Sequence, residues 1–466
     1  MTLIQHRSRW AIAGLLAGAM LVAGCDVKEE LLAPQQPGVL GPGDIASAGA
    51  AGAEALRVGA EGGLQQMVGG GNVNTENLWM MSDLLTDVWK SGDTFLERNE
   101  TDQRAIQSSN SVWSSVYLMA HRARGYARDA AAALAKAIPD QPGEQAEMWF
   151  IMGFAEMNLS QDFCNGVPFS ITQAGLPQYQ AGITNQAGFN VAITHFDSAL
   201  ALAGGTDSVA PRIKTASLIA KAEALVDLGQ FAAAAALVPT SAVPTSYQYA
   251  TTYSQPTTSN EIWSLNASQS SARYVVGDSF DLKGRINNAL PFASAKDPRV
   301  PISGGASDKA STPAIDKATP WVGAFWTART QPIIVVSGVD ARLIEAEAKL
   351  NAGDYAGMTT ILNALRTAPV NIGPITPAAM TALPVPASKD AAINVFFREK
   401  AFWQFARGQR LSDLRRLVRQ YGRSADQVFP TGTFHKGGTY SADVNAPIPD
   451  VEKSNPLFTG CIDRSA

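Results

Sequence analysis

Apolar residues recur every three or four positions along much of the chain, and this period predicts helices. The clearest case is residues 341–366, where two such runs are joined by a short turn. Gly353 suits the left-handed residue that follows a helix end, and Asp354 is a good N-cap for the next helix. Met358 and Leu362 share one apolar stripe of the second helix. The segment is therefore predicted to be a helical hairpin.

A near copy of this hairpin occurs earlier in the chain. Residues 222–232 match residues 346–356 at an Ala-Glu-Ala, at the turn glycine and at the aromatic residue two positions later. A helical pair cannot bury its apolar face alone, so the two copies indicate stacked, tetratricopeptide-like units. Their wide separation predicts large insertions between the units. An alternative stays open, since any helical protein can contain alanine-rich hairpins that end in glycine.

Helical periodicity stops at residues 238–337, where Ser, Thr, Pro and Gly dominate and aromatic residues occur singly. Short strands are predicted there at residues 261–265 and 332–336. A long irregular segment in a compact protein is usually functional or disordered, and its Trp and Tyr argue against disorder. The predicted fold class is mainly α, a single domain over residues 44–466. Its parts are a helical scaffold (44–237 and 338–420), an irregular ligand-bearing insertion (238–337) and a turn-rich tail (421–466).

Two further helices are predicted at residues 75–89 and 102–137. Within the first, Asp83 and Asp87 lie one turn apart. Such a pair usually belongs to a solvated face. The alternative is a place for a cation or a sugar hydroxyl.

Composition excludes one class of partner. The chain has 466 residues, a net charge of −4 and no basic run outside the segment near Arg415. Nucleic acid is therefore not an expected partner.

The N-terminus carries the signature of an exported lipoprotein. Arg7 and Arg9 precede an apolar stretch, residues 10–22, that is too short to span a bilayer comfortably, and LVAGC follows. Residues 1–24 thus resemble a bacterial lipoprotein signal peptide, with Cys25 as the lipidation site. The alternative is a plain secretory leader that contains a cysteine.

Residues 25–43 are predicted to be a lipid-anchored tether, because they are rich in Pro, Gly and charge. Acyl chains on Cys25 hold a protein at a membrane surface without a transmembrane helix. The acidic tract, residues 26–30, resembles the one that follows the lipidated cysteine in surface-exported lipoproteins. The expected location is the outer membrane, with the protein exposed at the cell surface.

The chain has three cysteines, and the lipid accounts for Cys25. Outside the cytoplasm disulfides persist, so Cys164 and Cys461 are predicted to form one. Two thiols are too few for a closed structural zinc site. Two free thiols remain the alternative, because a sequence does not show how close the two cysteines lie.

The segment FFREKAFWQFARGQRLSDLRRL resembles the R-x-E…F…G-x-R-x-x-D-L-R-R segment of the SusD/RagB family of nutrient-uptake lipoproteins. The residues that carry this resemblance are Arg398, Glu399, Phe405, Gly408, Arg410, Asp413, Leu414, Arg415 and Arg416. Weaker matches are Lys296-Asp297-Pro298-Arg299 and the ending Pro447-Ile448-Pro449, Glu452 and Asn455-Pro456. The charged residues of the long segment are interpreted as structural ion pairs between neighbouring helices.

The resemblance implies a surface lipoprotein that binds oligosaccharides or peptides and delivers them to a SusC-type TonB-dependent transporter. It implies binding rather than catalysis. No cofactor and no metal-ligating residue are predicted, and binding of a calcium ion stays open. The sequence accordingly lacks H-E-x-x-H, G-x-S-x-G and P-loop motifs. Two alternatives stay open: a tetratricopeptide-like interaction scaffold without a small ligand, and an enzyme such as a glycosidase, which needs only two carboxylates across a cleft.

Sugars stack their apolar faces on aromatic rings, so exposed Trp and Tyr outside the helices are the candidate ligand contacts. The predicted ligand-binding residues are Trp89, Tyr274, Trp321 and Trp326, with Asp93 and Arg98 as polar contacts. For each of them the alternative is a buried packing role.

Overall fold

The computed structural model describes residues 48–71, 75–173, 176–268, 272–304, 313–368 and 370–466. Cys25, the leader and the tether lie outside these residues. The described part of the chain is mainly helical, which confirms the predicted fold class, and residues 48–466 form one compact unit. No helix among the described residues combines the length and the apolar character needed to cross a bilayer.

The helices are α1 (Gly49–Gly69), α2 (Leu78–Leu84), α3 (Leu96–Asp102), α4 (Ser111–Ala137), α5 (Pro142–Asp162), α6 (Asn185–Leu202), α7 (Ala210–Asp227), α8 (Phe231–Leu237), α9 (Gly338–Asn351), α10 (Tyr355–Thr367), α11 (Lys389–Trp403), α12 (Arg410–Arg419) and α13 (Ala425–Val428). The strands are β1 (Trp89–Ser91), β2 (Val167–Pro168), β3 (Ile171–Gln173), β4 (Leu176–Gln178), β5 (Gly182–Ile183), β6 (Gln248–Thr251), β7 (Tyr274–Val276), β8 (Phe280–Asp281), β9 (Gly284–Arg285), β10 (Ser303–Gly304), β11 (Val322–Gly323) and β12 (Ile333–Ser337).

The long helices pack in a continuous series. Helix α1 packs on α4, α4 on α5, α5 on α6, and α6 on α7; α8 then connects α7 to α9, which packs on α10. The insertion, residues 238–337, separates α8 from α9 in sequence, yet the two helices are neighbours in space. Hairpins that are far apart in sequence therefore form one stack, as units that cannot bury their apolar faces alone require.

The predicted hairpin is present as α9 and α10, and local capping explains its bounds. Ser337 and Asp340 form a reciprocal capping box at the start of α9. Gly353 has a φ of 76°, and Asp354 accepts a hydrogen bond from the Gly357 N–H at 2.8 Å. The near copy is also a hairpin, α7 and α8, with Gly229 at a φ of 74°. Both hairpin predictions are confirmed.

Other sequence-based elements need correction. The helix predicted at 75–89 is shorter in the structure and consists of α2, Leu78–Leu84, alone. The chain turns after it, where the Thr86 hydroxyl donates a 2.6 Å hydrogen bond to the Asp83 carbonyl. The helix predicted at 102–137 begins only at Ser111, as α4, where the Asn110 side chain caps its first turn. The strand predicted at 261–265 is wrong, as Trp263–Ala267 is a π-helix. The strand predicted at 332–336 is confirmed as β12.

The insertion is joined to the scaffold by small antiparallel sheets. Strand β1 pairs with β7 in the register Trp89↔Val276, Lys90↔Val275 and Ser91↔Tyr274. Strands β6 and β12 pair across the two ends of the insertion, and β8 with β9 and β10 with β11 form pairs inside it. The sheet of β1 and β7 thus fixes the insertion against a strand of the N-terminal part.

Helix α12 is the centre of a buried ionic network. Arg416 donates to Glu347 of α9 at 2.5 Å and to Asp413 at 2.7 Å. Asp413 also accepts a 2.7 Å hydrogen bond from Lys400 of α11. These four side chains are all buried. Asp413 and Arg416 of the resemblance motif therefore form structural ion pairs here, as interpreted from the sequence, whereas Arg398 lies over the Phe402 ring and has no ion pair with a described residue.

The same helix reaches the N-terminal part of the chain. Arg410 holds Asp87 with two hydrogen bonds, at 2.7 and 3.0 Å. Arg415 donates to the carbonyls of Ser160 and Phe163 at the end of α5, where a helix presents unpaired carbonyl groups. Burial lowers the pKa of Arg415 to about 9. Helix α12 thereby fixes both α5 and the segment that leads into β1.

Both readings of the Asp83 and Asp87 pair are wrong, because the two carboxylates are buried. Asp87 forms an ion pair with Arg410. Asp83 accepts a 3.0 Å hydrogen bond from the backbone N–H of Gly408, and burial raises its pKa to about 7. Gly408 has a φ of 68°, and a Cβ atom there would lie 2.2 Å from the Trp79 ring, so this position requires glycine.

Cys164 and Cys461 form a disulfide bond, with an S–S distance of 2.07 Å and a Cα–Cα distance of 5.9 Å. The neighbouring Asn165 accepts a hydrogen bond from the N–H of Ile462 at 2.7 Å and donates to Asp463 at 2.9 Å. The C-terminal residues are thus attached to the turn after α5 by both covalent and polar contacts.

Removal of Arg410 tests the structural role of the network. Arg410→Ala leaves the Asp87 carboxylate buried without its cation, so the free energy of unfolding should fall by about 3–5 kcal/mol. Arg423→Ala is the matched control, because Arg423 pairs with an exposed carboxylate, Asp390, at 3.2 Å. Its effect should stay within about 1 kcal/mol. Equal decreases in the free energy of unfolding for Arg410→Ala and Arg423→Ala, measured by urea denaturation, would contradict this structural role of Arg410.

The disulfide is tested by peptide mapping of the unreduced protein, which should yield one linked peptide that contains both cysteines. The bridge spans 297 residues. The double variant Cys164→Ser, Cys461→Ser should therefore lower the free energy of unfolding by about 2–5 kcal/mol. Full alkylation of both thiols before reduction would refute the bond.

Candidate functional site

A cleft of about 590 Å³ lies where β1, the insertion and the C-terminal tail meet. Its volume is typical of small-molecule sites. Four stretches of chain line it, two of them from the insertion, and most of its side chains are polar or charged. The lining residues are Lys90, Asp93, Thr94, Asn99, Val275, Asp281, Leu282, Lys283, Asp316, Ala318, Thr319, Pro320, Val322, His435 and Lys436.

Lys90 forms part of the wall because it is the middle residue of β1. Side chains alternate between the two faces of a strand, so Lys90 points away from Trp89 and Ser91. The Lys90 side chain is only 7% exposed, and burial lowers its pKa. It has no ion pair with any described residue. Its amine is a hydrogen-bond donor at the cleft wall, and it has no side-chain hydrogen bond to any residue that the structure describes.

The opposite wall is held by ion pairs between distant segments. Lys436 donates to Asp316 at 2.8 Å and also to the backbone carbonyl of Asp93. His435 Nε2 lies 2.9 Å from a carboxylate oxygen of Asp102. Burial acts to raise the pKa of Asp316, but Lys436 and nearby N–H groups hold it below its ordinary value. The C-terminal tail is thus attached both to the segment after β1, at Asp93, and to the insertion, at Asp316.

Of the predicted ligand residues, only Asp93 lines this cleft. Arg98 lies behind Asp93 and binds its carboxylate at 2.7 Å, and it also pairs with Glu76. Arg98 therefore positions Asp93. The Trp321 ring lies against Gly304 and Gly323, and its indole N–H donates to the Asn266 carbonyl at 2.8 Å.

The expected exposure of the other three aromatic residues is wrong. Trp89, Tyr274 and Trp326 are 1%, 0% and 6% exposed. Trp89 lies edge-on to Tyr274 and to Phe405, with ring centroids 6.4 and 5.3 Å apart, and contacts Trp326 at 6.3 Å. Trp89 and Tyr274 belong to the core because the paired strands β1 and β7 hold their rings against the scaffold. Trp326, from the segment between β11 and β12, packs on Trp89 and Phe325.

Sequence reasoning missed most of the cleft. Lys90, Asn99, Asp316 and Lys436 lie on separate segments and share no periodic pattern. One local signal was available in the hairpin of β8 and β9, residues 280–285, whose turn Asp-Leu-Lys-Gly is typical of a tight hairpin. That hairpin carries two of the exposed apolar side chains of the described chain, Phe280 and Leu282.

The chemistry of the cleft is that of a polar binding site. Lysine amines and an asparagine amide can donate to hydroxyl groups, and the carboxylate of Asp93 and the carbonyls around it can accept from them. Within the described ranges, no three His, Cys, Asp or Glu side chains are grouped so as to hold a metal ion.

Comparison with solved structures shows the fold. A SusD superfamily protein from Bacteroides vulgatus is 15% identical, with a TM-score of 0.61 over 88% of this chain and 98% of that one. A SusD homologue from Bacteroides thetaiotaomicron is 14% identical, with a TM-score of 0.62 over 90% and 98%. Surface glycan-binding protein A from Bacteroides uniformis is 13% identical, with a TM-score of 0.60 over 88% and 98%.

The chain has a SusD-like fold. No family model matches the sequence, and no curated protein matches it by sequence. The SusD-like fold thus persists here at identities of 15% or below. The structural matches extend over the scaffold, the insertion and the tail, since they cover nearly nine-tenths of the chain.

Proposed function

We propose that the cleft beside β1 binds an oligosaccharide. The observation that supports this most directly is a cleft of about 590 Å³ with mixed donors and acceptors on a SusD-like fold. One of the structurally similar proteins is named a surface glycan-binding protein. Sugars offer many hydroxyl groups that donate and accept, and such a polar wall matches them.

The proposed role is binding rather than catalysis. A glycosidase needs one carboxyl group that stays protonated and a second that is free to act as nucleophile or base. In this cleft Asp93 is paired with Arg98, and Asp316 is paired with Lys436. Because Lys436 keeps the pKa of Asp316 low, this carboxyl group is a poor general acid. Neither of these two groups is poised for glycoside hydrolysis. The third carboxylate of the lining, Asp281, accepts a hydrogen bond from the Lys283 N–H at 2.6 Å, and it faces no second free carboxyl group in the lining.

The proposal includes the cellular setting that the sequence indicates. The protein is anchored in the outer membrane through a lipid on Cys25, exposed at the cell surface, and passes its ligand to a SusC-type TonB-dependent transporter. Tethering to the same membrane raises the effective concentration of the two partners, so even a weak interface is occupied. A peptide ligand is the alternative outcome of the binding test.

Lys90 provides a sharp test of the cleft. Lys90→Met keeps the length of the buried side chain and removes its amine, so the protein should stay folded with an unchanged melting temperature. Affinity for an oligosaccharide identified on a mixed glycan and peptide array should fall at least about tenfold in calorimetry, because a charge-assisted hydrogen bond is lost. Lys214→Ala, an exposed lysine of α7, is the control. Unchanged affinity in Lys90→Met would refute this site.

The transporter partnership is tested by affinity purification from native outer membranes in mild detergent. A large TonB-dependent barrel should be recovered with the wild-type protein. Cys25→Ala should lose the membrane association and recover much less of the barrel. Recovery of the wild-type protein without any such barrel would contradict the partnership but not the glycan cleft.

A further inference from the structure

A second cleft, of about 650 Å³, lies between α4, α5, α6 and strand β3. It shares no lining residue with the cleft beside β1. Nothing in the proposed function uses it. Its side chains nevertheless have the features of a built binding site, with oriented polar groups, aromatic rings and an excess of positive charge.

The first feature is an oriented imidazole. His195 Nδ1 lies 2.5 Å from the carboxylate of Glu156, whose other oxygen accepts a 2.7 Å hydrogen bond from Arg124. A carboxylate only accepts, so Nδ1 carries the proton and the ring is held in one orientation. Trp149 covers one face of this ring at 5.4 Å. The other ring nitrogen, Nε2, has no partner among the described residues and is available to a ligand.

The second feature is positive charge without a local counter-ion. Arg124 is paired with Glu156, and Arg128 is paired with Asp129 at 2.7 Å. Arg122 lies on the same side of α4 and is exposed, with no ion pair to any residue that the structure describes. The lining therefore carries a net positive charge, although the whole chain carries −4. An anionic group is favoured here over a neutral one.

The third feature is an open aromatic surface. Tyr126 is 50% exposed and lies four residues after Arg122, so the two side chains stand on the same side of the helix. Between them is Gly125, where a Cβ atom would meet nothing within 4 Å. A glycine inside a helix costs stability relative to alanine, and here its missing side chain leaves the cleft open.

We propose that this second cleft binds acidic oligosaccharides, such as chains of uronic acids. The ring of Tyr126 stacks on a sugar face, Arg122 pairs with a carboxylate of the sugar, and His195 Nε2 bonds to a hydroxyl group. A neutral oligosaccharide lacks the group that Arg122 recognises. The chain thus has two carbohydrate sites of different charge preference.

The test uses calorimetry on the whole protein with pentagalacturonate as probe and cellopentaose as its neutral counterpart. Wild type should bind pentagalacturonate, more weakly as salt is added, and at least about fivefold more tightly than cellopentaose in this cleft. Arg122→Ala should lower the pentagalacturonate affinity at least about fivefold, and Tyr126→Ala by a similar factor.

Gly125→Leu gives a second variant that should fold well, because leucine favours a helix more than glycine and the space beside it is empty. It should fill the cleft and abolish pentagalacturonate binding. Gly59→Leu is the matched control, since Gly59 lies on the exposed side of α1 and a Cβ atom there would also meet nothing within 4 Å. It should bind like wild type.

Several results would overturn the inference. The inference is wrong if the wild-type protein does not bind pentagalacturonate, or if Gly125→Leu binds it as tightly as wild type. It is also wrong if Gly59→Leu loses as much pentagalacturonate affinity as Gly125→Leu does. Loss of binding in Lys90→Met with retention in Gly125→Leu would place the acidic ligand in the first cleft and also refute the second site. Retention in Lys90→Met with loss in Gly125→Leu supports the inference, whatever the first cleft binds.

Discussion

The buried ion pairs of α12 are the constraint on which the structure depends. Arg410 and Arg416 lie on one short helix, and their carboxylate partners Asp87 and Glu347 come from distant parts of the sequence. A buried arginine that loses its carboxylate costs several kcal/mol, so these segments cannot separate without a large penalty. The helical stack buries most of the apolar surface. The ion pairs of α12 fix the position of α9 relative to the segment that contains Asp87.

This network also explains where the first cleft forms. Asp87, held by Arg410, is followed after one residue by β1, and β1 places Trp89 in the core and Lys90 at the cleft wall. The far wall is held in the same way, because Lys436 bridges Asp316 and the carbonyl of Asp93. Charged side chains therefore have two uses in this fold. Those with buried partners position segments. Lys90 and Arg122, which have no ion pair among the described residues, are the ones that we propose as ligand contacts.

The sequence predicted the features that depend on local contacts. The hairpin of α9 and α10 was predictable because Gly353 and Asp354 act on their own helix ends. The cleft was not, because its side chains are brought together by ion pairs over hundreds of residues. The aromatic prediction was wrong for Trp89 since a three-residue strand has too little periodicity to reveal which side is buried.

Hydrogen exchange with mass spectrometry tests the central claim most directly, because it locates a ligand on the folded protein without any substitution. With a bound neutral oligosaccharide, slower exchange is expected in residues 90–99, 274–283, 316–322 and 435–436, the segments that form the first cleft. Helices α7 and α10, which contribute nothing to it, should be unchanged. Protection outside these four segments, with none inside them, would contradict the account.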